Sequence, residues 1–240
     1  MLKAALKIFI PFTLLISADC GYDEILGKVY TWTFPLAVGN KWEYESNAYL
    51  DDSLISSCSI FSKITAKETG PGGNEIYEFI DSTNSAASRN YYEKRSDGLY
   101  LYASEPGGIN ALWKKRIDSG SVLKQPPVLL VPFSFMEGDE WAYDTLYDSS
   151  SDSATVLKRA FVEEVILNLK VGSFDCYKFK TTGYANETRY HYYAHKIGLV
   201  MKEEIIDSMP VTTWTTGPSP VIDSTKYVRS VTKQTLVNFH

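Results

Sequence analysis

The sequence predicts an all-β, mainly antiparallel protein in which two tandem β-meander repeats form one curved sheet, a half-barrel or a sandwich. Three observations carry that prediction. Aromatic and charged residues alternate with period two: Trp42, Tyr44 and Ser46 stand against Lys41, Glu43 and Glu45, the pattern of a strand with one face on a core. Glycine and Asp-Gly signals punctuate runs of strand length. The chain also resembles itself at a shift of about one hundred residues, the signature of a repeat architecture.

The self-similarity falls on residues that fix cores and turns. Gly39-x-x-Trp42-x-Tyr44 returns as Gly138-x-x-Trp141-x-Tyr143, and Ile76-Tyr77-Glu78-Phe79 as Cys176-Tyr177-Lys178-Phe179. Phe61 matches Phe161, Gly72 matches Gly172, Tyr91-Tyr92 matches Tyr192-Tyr193, and Gly98-Leu99 matches Gly198-Leu199. Trp42, Tyr44, Tyr77, Phe79, Trp141, Tyr143, Tyr177 and Phe179 are therefore expected to form the core of the repeats.

In chain order, residues 1–19 read as a signal peptide. Lys3 and Lys7 make a positive start, and the apolar stretch 8–18, interrupted by Pro11, falls short of the roughly 20 residues a spanning helix needs. Residues 20–30 read as an N-terminal tether and 31–123 as repeat 1. Within it, strands are expected at 41–46, 59–69, 75–81, 88–94, 99–104 and 111–117. The polar stretch 50–57 reads as a loop, because Asp and Ser bond their own backbone.

Residues 124–131 read as a Pro-rich join, since proline supplies no ladder donor. Repeat 2 covers 132–240, with strands at 140–145, 160–171, 175–181, 187–195, 199–207 and 226–239. The stretch 160–171 also suits one face of a helix through Phe161, Val165 and Leu169; its counterpart, rich in Ile, Thr and Phe, decides for a strand. One unit alone would leave two edges and a one-sided core, so the two are expected to join into one structure.

Composition narrows the partners. The 29 acidic against 24 basic residues give a net charge of −5, which disfavours nucleic acid and anionic surfaces. The chain is 44% hydrophobic and 22% charged, as a folded globular chain is. Of the three cysteines, Cys58 and Cys176 form a candidate disulfide in an oxidising compartment, with two small buried apolar residues as the alternative.

The chemistry-bearing motifs are sparse. His191-Tyr192-Tyr193-Ala194-His195 has the spacing of a paired-histidine zinc motif, but on a strand the two rings stand about 13 Å apart at roughly 3.3 Å per residue. Zinc needs its nitrogens at about 2.0–2.1 Å, so no metal and no cofactor is expected. There is no Gly-x-Ser-x-Gly, no CxxC and no phosphate cradle, since Gly70-Pro71-Gly72-Gly73 reads as a turn between strands. Glu163-Glu164 and Glu203-Glu204 are neighbours in sequence that point to opposite faces of a strand. No catalytic residue is assigned. The 17 tyrosines, Tyr91, Tyr92, Tyr190, Tyr192 and Tyr193 among them, read as scaffold before ligand site.

Two resemblances follow from quoted residues. Ile16-Ser17-Ala18-Asp19-Cys20-Gly21 resembles the lipobox of bacterial lipoproteins, although Asp19 stands where that family has a small residue. The resemblance implies lipidation at Cys20; a cut after Ala18 would release a soluble periplasmic or extracellular protein instead. Phe34-Pro35-Leu36-x-Val38-Gly39-Asn40-x-Trp42-x-Tyr44, Gly172-x-Phe174-x-Cys176-Tyr177 and Tyr192-Tyr193-Ala194 leading to Ile197-Gly198-Leu199-Val200 are similar to motifs of a group of secreted bacterial lipoproteins with no assigned activity. A more distant fold-level likeness is to the half-barrels of periplasmic lipoprotein carriers.

The expectation is therefore an exported protein of the outer membrane or cell surface, tethered to the membrane through an N-terminal lipid. It would be a non-enzymatic binding or structural module for a protein, glycan or apolar ligand. The second reading is a carrier of an acyl chain or other apolar ligand in a concave cavity, and the third a secreted hydrolase.

Overall fold

The computed structural model describes residues 27–70, 72–104, 127–148, 153–214 and 222–240. The signal segment 1–19, Cys20 and the strand expected at 111–117 lie outside the described residues. Within them every helix or strand is a strand. In chain order these are β1 (Val29–Thr31), β2 (Lys41–Leu50), β3 (Ser53–Thr69), β4 (Glu75–Ser82), β5 (Ala87–Lys94), β6 (Gly98–Ser104) and β7 (Val128–Pro132). There follow β8 (Ser134–Met136), β9 (Glu140–Asp148), β10 (Ser153–Leu169), β11 (Gly172–Tyr184), β12 (Glu187–Ala194), β13 (Gly198–Trp214) and β14 (Ile222–Phe239).

Twelve strands make one antiparallel sheet in the order β7-β6-β5-β4-β3-β2-β14-β13-β12-β11-β10-β9. Two meanders, β2 to β7 and β9 to β14, thus meet where β14 pairs with β2, with Leu236 opposite Tyr44 and Phe239 opposite Trp42. The outer strands β7 and β9 come back towards each other, so the sheet curves into a nearly closed barrel. The indole of Trp141 on β9 donates to the Leu129 carbonyl on β7 at 3.1 Å. Strands β1 and β8 form a second, two-stranded sheet.

Strand position recurs between the meanders. Strands β3 and β10 are both 17 residues long, and β5 and β12 both 8. Phe79 pairs with Ile64 and Asn90, while Phe179 pairs with Phe161 and His191; Tyr77 faces Tyr92 and Tyr177 faces Tyr193. The aromatic alternation explains which face turns inward. Trp42 and Tyr44 are buried, and Trp42 stacks on Phe79 at 5.9 Å as Trp141 meets Phe179 edge-on at 5.7 Å.

One end of the lumen is filled by rings. The N-terminal segment crosses it: Trp32 packs on Phe34, Phe133 and Tyr193, and Tyr30 on Phe135, Phe161 and Tyr177. Backbone bonds between Thr33 and Lys196 and from Trp32 to Phe133 hold it there. Gly198, at φ +90°, backs onto this plug, and a Cβ there would lie 2.9 Å from Phe34 Cζ. Only glycine satisfies both conditions.

Three expected boundaries move. The polar stretch 50–57 is not a loop: Asp51 and Asp52, at φ 44° and 66°, make a two-residue turn, and β3 resumes at Ser53. Positive φ at both central residues suits the twist of a hairpin, and Asp tolerates it. The serines that follow pair through their backbone with β2 although their side chains are exposed. The join is shorter than 124–131, because Val128–Pro132 is strand β7; as an outer strand it accommodates a terminal proline. The tether also ends early, since β1 and Tyr30 belong to the fold.

A candidate ligand cavity inside the sheet

Between the aromatic plug and the far end of the sheet lies a cavity of about 340 Å³. Phe34, Trp42, Phe79, Leu99, Leu130 and Leu199 supply its apolar wall, and Tyr44, Tyr92, Tyr143 and Tyr193 add phenols. Burial, with Asp81 nearby, pushes the Tyr44 and Tyr92 hydroxyls well above their ordinary range, so they remain protonated. Tyr44 donates to the Leu199 carbonyl at 3.1 Å.

Polar groups cross this lumen as a belt, in matching places of the two meanders. On β3 and β4, Ser62 pairs with Asp81; on β10 and β11, Arg159 pairs with Thr181. The next strand adds Asn90 in one meander and His191 in the other. Asp81 accepts from the Ser62 hydroxyl and from Asn90 Nδ2 at 2.8 Å. Among the described residues no cation lies within ion-pair distance of Asp81.

Arg159 is 1% exposed. Its Nε donates to Thr181 Oγ1 at 3.0 Å, Nη1 to the Leu130 carbonyl at 2.8 Å and Nη2 to His191 Nδ1 at 3.4 Å. The guanidinium carbon sits 3.8 Å from the Tyr143 ring centroid. Among the described residues it has no carboxylate partner. Arginine cannot accept a hydrogen bond, so Nδ1 of His191 is the acceptor and the ring proton sits on Nε2. Burial, then Arg159, Lys202 and Arg189, pull the His191 imidazole well below its usual range, which makes it neutral.

The polar end carries partly exposed ion pairs. Lys202, which lines the cavity, lies 2.6 Å from Glu204, and Arg189 joins Glu204 at 3.3 Å and also binds Glu187. Burial pushes the Glu204 carboxyl up, but Lys202 and Arg189 together bring it below its ordinary value. Glu203, on the opposite face, accepts from the Tyr192 hydroxyl at 2.8 Å and pairs with Lys233 at 3.2 Å. The two adjacent glutamates therefore serve different surfaces.

No family model matches the chain, and no curated protein matches it. Two solved structures are similar. One is a provisionally described lipoprotein of Parabacteroides distasonis, at 16% identity and TM-score 0.36, covering 88% of this chain and 99% of that one. The other is a protein of Bacteroides fragilis, provisionally described as exported and as having a YmcC-like fold, at 14% identity and TM-score 0.38, covering 88% of this chain and 100% of that one. At these values neither likeness bears on function.

The cavity holds a serine, a carboxylate and a histidine, yet not in a nucleophilic order. The hydroxyl of Ser62 is bonded to Asp81, and His191 faces a cation. A base must take the nucleophile's proton, and a neighbouring guanidinium weakens that base. His195 is apart, exposed on the turn after β12, where its Nδ1 accepts from Thr33 N at 3.3 Å. Among the described residues no group of three His, Cys, Asp or Glu side chains converges as a metal site.

Of the aromatic residues expected in the core, Trp42, Tyr44, Phe79 and Tyr143 line the cavity. Tyr77 is buried and bonds Glu75, Phe179 is fully buried, Tyr177 joins the plug, and Trp141 sits at the meeting of β9 with β7. Four of the eight scaffold aromatics thus also line the cavity, and the other four do not. The candidate disulfide is not formed: Cys58 is an exposed free thiol and Cys176 a buried one. Their strand registers put them on opposite faces of the sheet, Cys58 in the row of Ser46, Gln234 and Lys202, and Cys176 beside Ala194.

Arg159 is the residue that sequence reasoning missed. Its signal was present: Leu157, Arg159 and Phe161 share one face by period two, and a lone cation between two buried apolar residues is unusual.

Proposed function

We propose that the protein is an exported, lipid-anchored, non-enzymatic binding module that holds one small amphipathic ligand inside its sheet. The observation that carries this reading is the cavity of about 340 Å³, aromatic at one end and crossed by a polar belt. That size and mixture of walls are typical of small-molecule sites. The belt interrupts the apolar surface, which favours a compact ligand with a polar end over a long acyl chain. The tether rests on the run ending at Cys20, and the same reading takes the two meanders as copies of one ancestral unit.

Mass spectrometry of the protein purified without denaturant from the membrane fraction tests both halves. A species released only on unfolding, and absent from a cavity-filling Leu199→Trp variant, is the expected result. An identical mass before and after unfolding overturns the ligand. An unmodified chain beginning at Asp19 overturns the anchor.

A further inference from the structure

We infer that the ligand of this cavity is a monocarboxylate whose carboxylate binds Arg159; the inference rests on reading the lumen as a ligand site. A guanidinium taken out of water loses its hydration, and hydrogen bonds to neutral groups recover only part of it. Thr181, the Leu130 carbonyl, His191 and the Tyr193 hydroxyl, which also bonds the guanidinium, are all neutral partners. The Tyr143 ring is neutral as well. The positive charge is therefore buried and held in place, with no counter-charge among the described residues.

A planar carboxylate is the anion that matches a guanidinium fork. Asp81, lining the same cavity, opposes a second negative charge, so a monoanion fits better than a phosphate dianion. Asp81 itself is only partly buried, which places the larger desolvation cost on Arg159 and makes the anion the primary requirement. The aromatic plug bounds the ligand's body at the other end.

Calorimetric titration of the purified full-length protein with 3-phenylpropionate, 3-phenylpropan-1-ol, 3-phenylpropylamine and phenyl phosphate tests the inference. The acid is expected to bind at least about tenfold more tightly than the others, since one charged hydrogen-bonded contact contributes on that order. Arg159→Gln is expected to abolish the preference of the site for the acid over the alcohol. Arg159→Lys, which keeps the charge without the fork, is expected to retain part of it; the wild-type series decides the matter if neither variant folds. An alcohol, amine or phosphate that binds as tightly as the acid overturns the carboxylate and leaves the lumen as a ligand site. Failure of all four to bind overturns both.

Discussion

Trp141 on β9 donates from Nε1 to the carbonyl of Leu129 on β7 at 3.1 Å, across the seam where, among the described residues, the two outer strands of the sheet meet without a backbone ladder. The same short strand receives two more donors. Arg159 Nη1 reaches the Leu130 carbonyl at 2.8 Å, and the Trp32 indole reaches the Pro132 carbonyl at 2.6 Å. An outer strand presents unpaired carbonyls that must be satisfied or left to pair with another chain. Here three large side chains perform that task, and Arg159 thereby links the seam to the cavity.

Replacing the donor while keeping a ring isolates this contact. Trp141→Phe leaves the Leu129 carbonyl without its partner and is expected to cost about 1–3 kcal/mol in urea unfolding. Amide hydrogen exchange should quicken in β6, β7 and β9 and stay unchanged where β2 pairs with β14. Uniform loss of protection, or none, would show that the seam does not depend on this bond.

The fold was legible because its signal is local. Trp42 and Tyr44 alternate with charges over six residues, and hairpins follow from dipeptides such as Asp97-Gly98. The nearly closed barrel was not legible, since closure depends on the meeting of Trp141 with Leu129, which no local pattern encodes. Ser53 to Ser57 look like a loop in composition but pair with β2, because a ladder uses backbone groups and tolerates exposed side chains. The site is harder still. Arg159 acquires its meaning from Thr181 and His191, which lie on two other strands and reach it only after the sheet has curved.

The two internal thiols should differ in reactivity. Burial, reinforced by Asp175, pushes the Cys176 thiol up to about 12, so almost no thiolate forms at neutral pH, whereas Cys58 is exposed. Native protein treated with iodoacetamide is expected to carry a label at Cys58 alone, and Cys176 should react only in denaturant. Peptide mapping distinguishes the two. Protection of both until a reductant is added would mean that they bridge.

His191 should make stability depend on pH, with a defined sign. Its folded-state value lies well below 6.5, chiefly through burial and then through Arg159 and Lys202, while the unfolded side chain titrates near 6.5. Between those values the unfolded chain binds more protons than the folded one, so stability falls as pH drops below about 6.5. One such group contributes a slope of at most about 1.4 kcal/mol per pH unit within that window. Asparagine occupies the matching place in the other meander at Asn90, which makes His191→Asn the natural control: its carbonyl can accept from Arg159, and it does not titrate. Urea unfolding of both proteins should give curves that converge or cross as pH falls from about 7 to 5, with the wild type losing more. Carboxylates that titrate lower act on both chains alike and cancel in the comparison. Parallel curves would place the His191 proton equilibrium outside the folded lumen and remove the neutral acceptor on which the orientation of Arg159 depends.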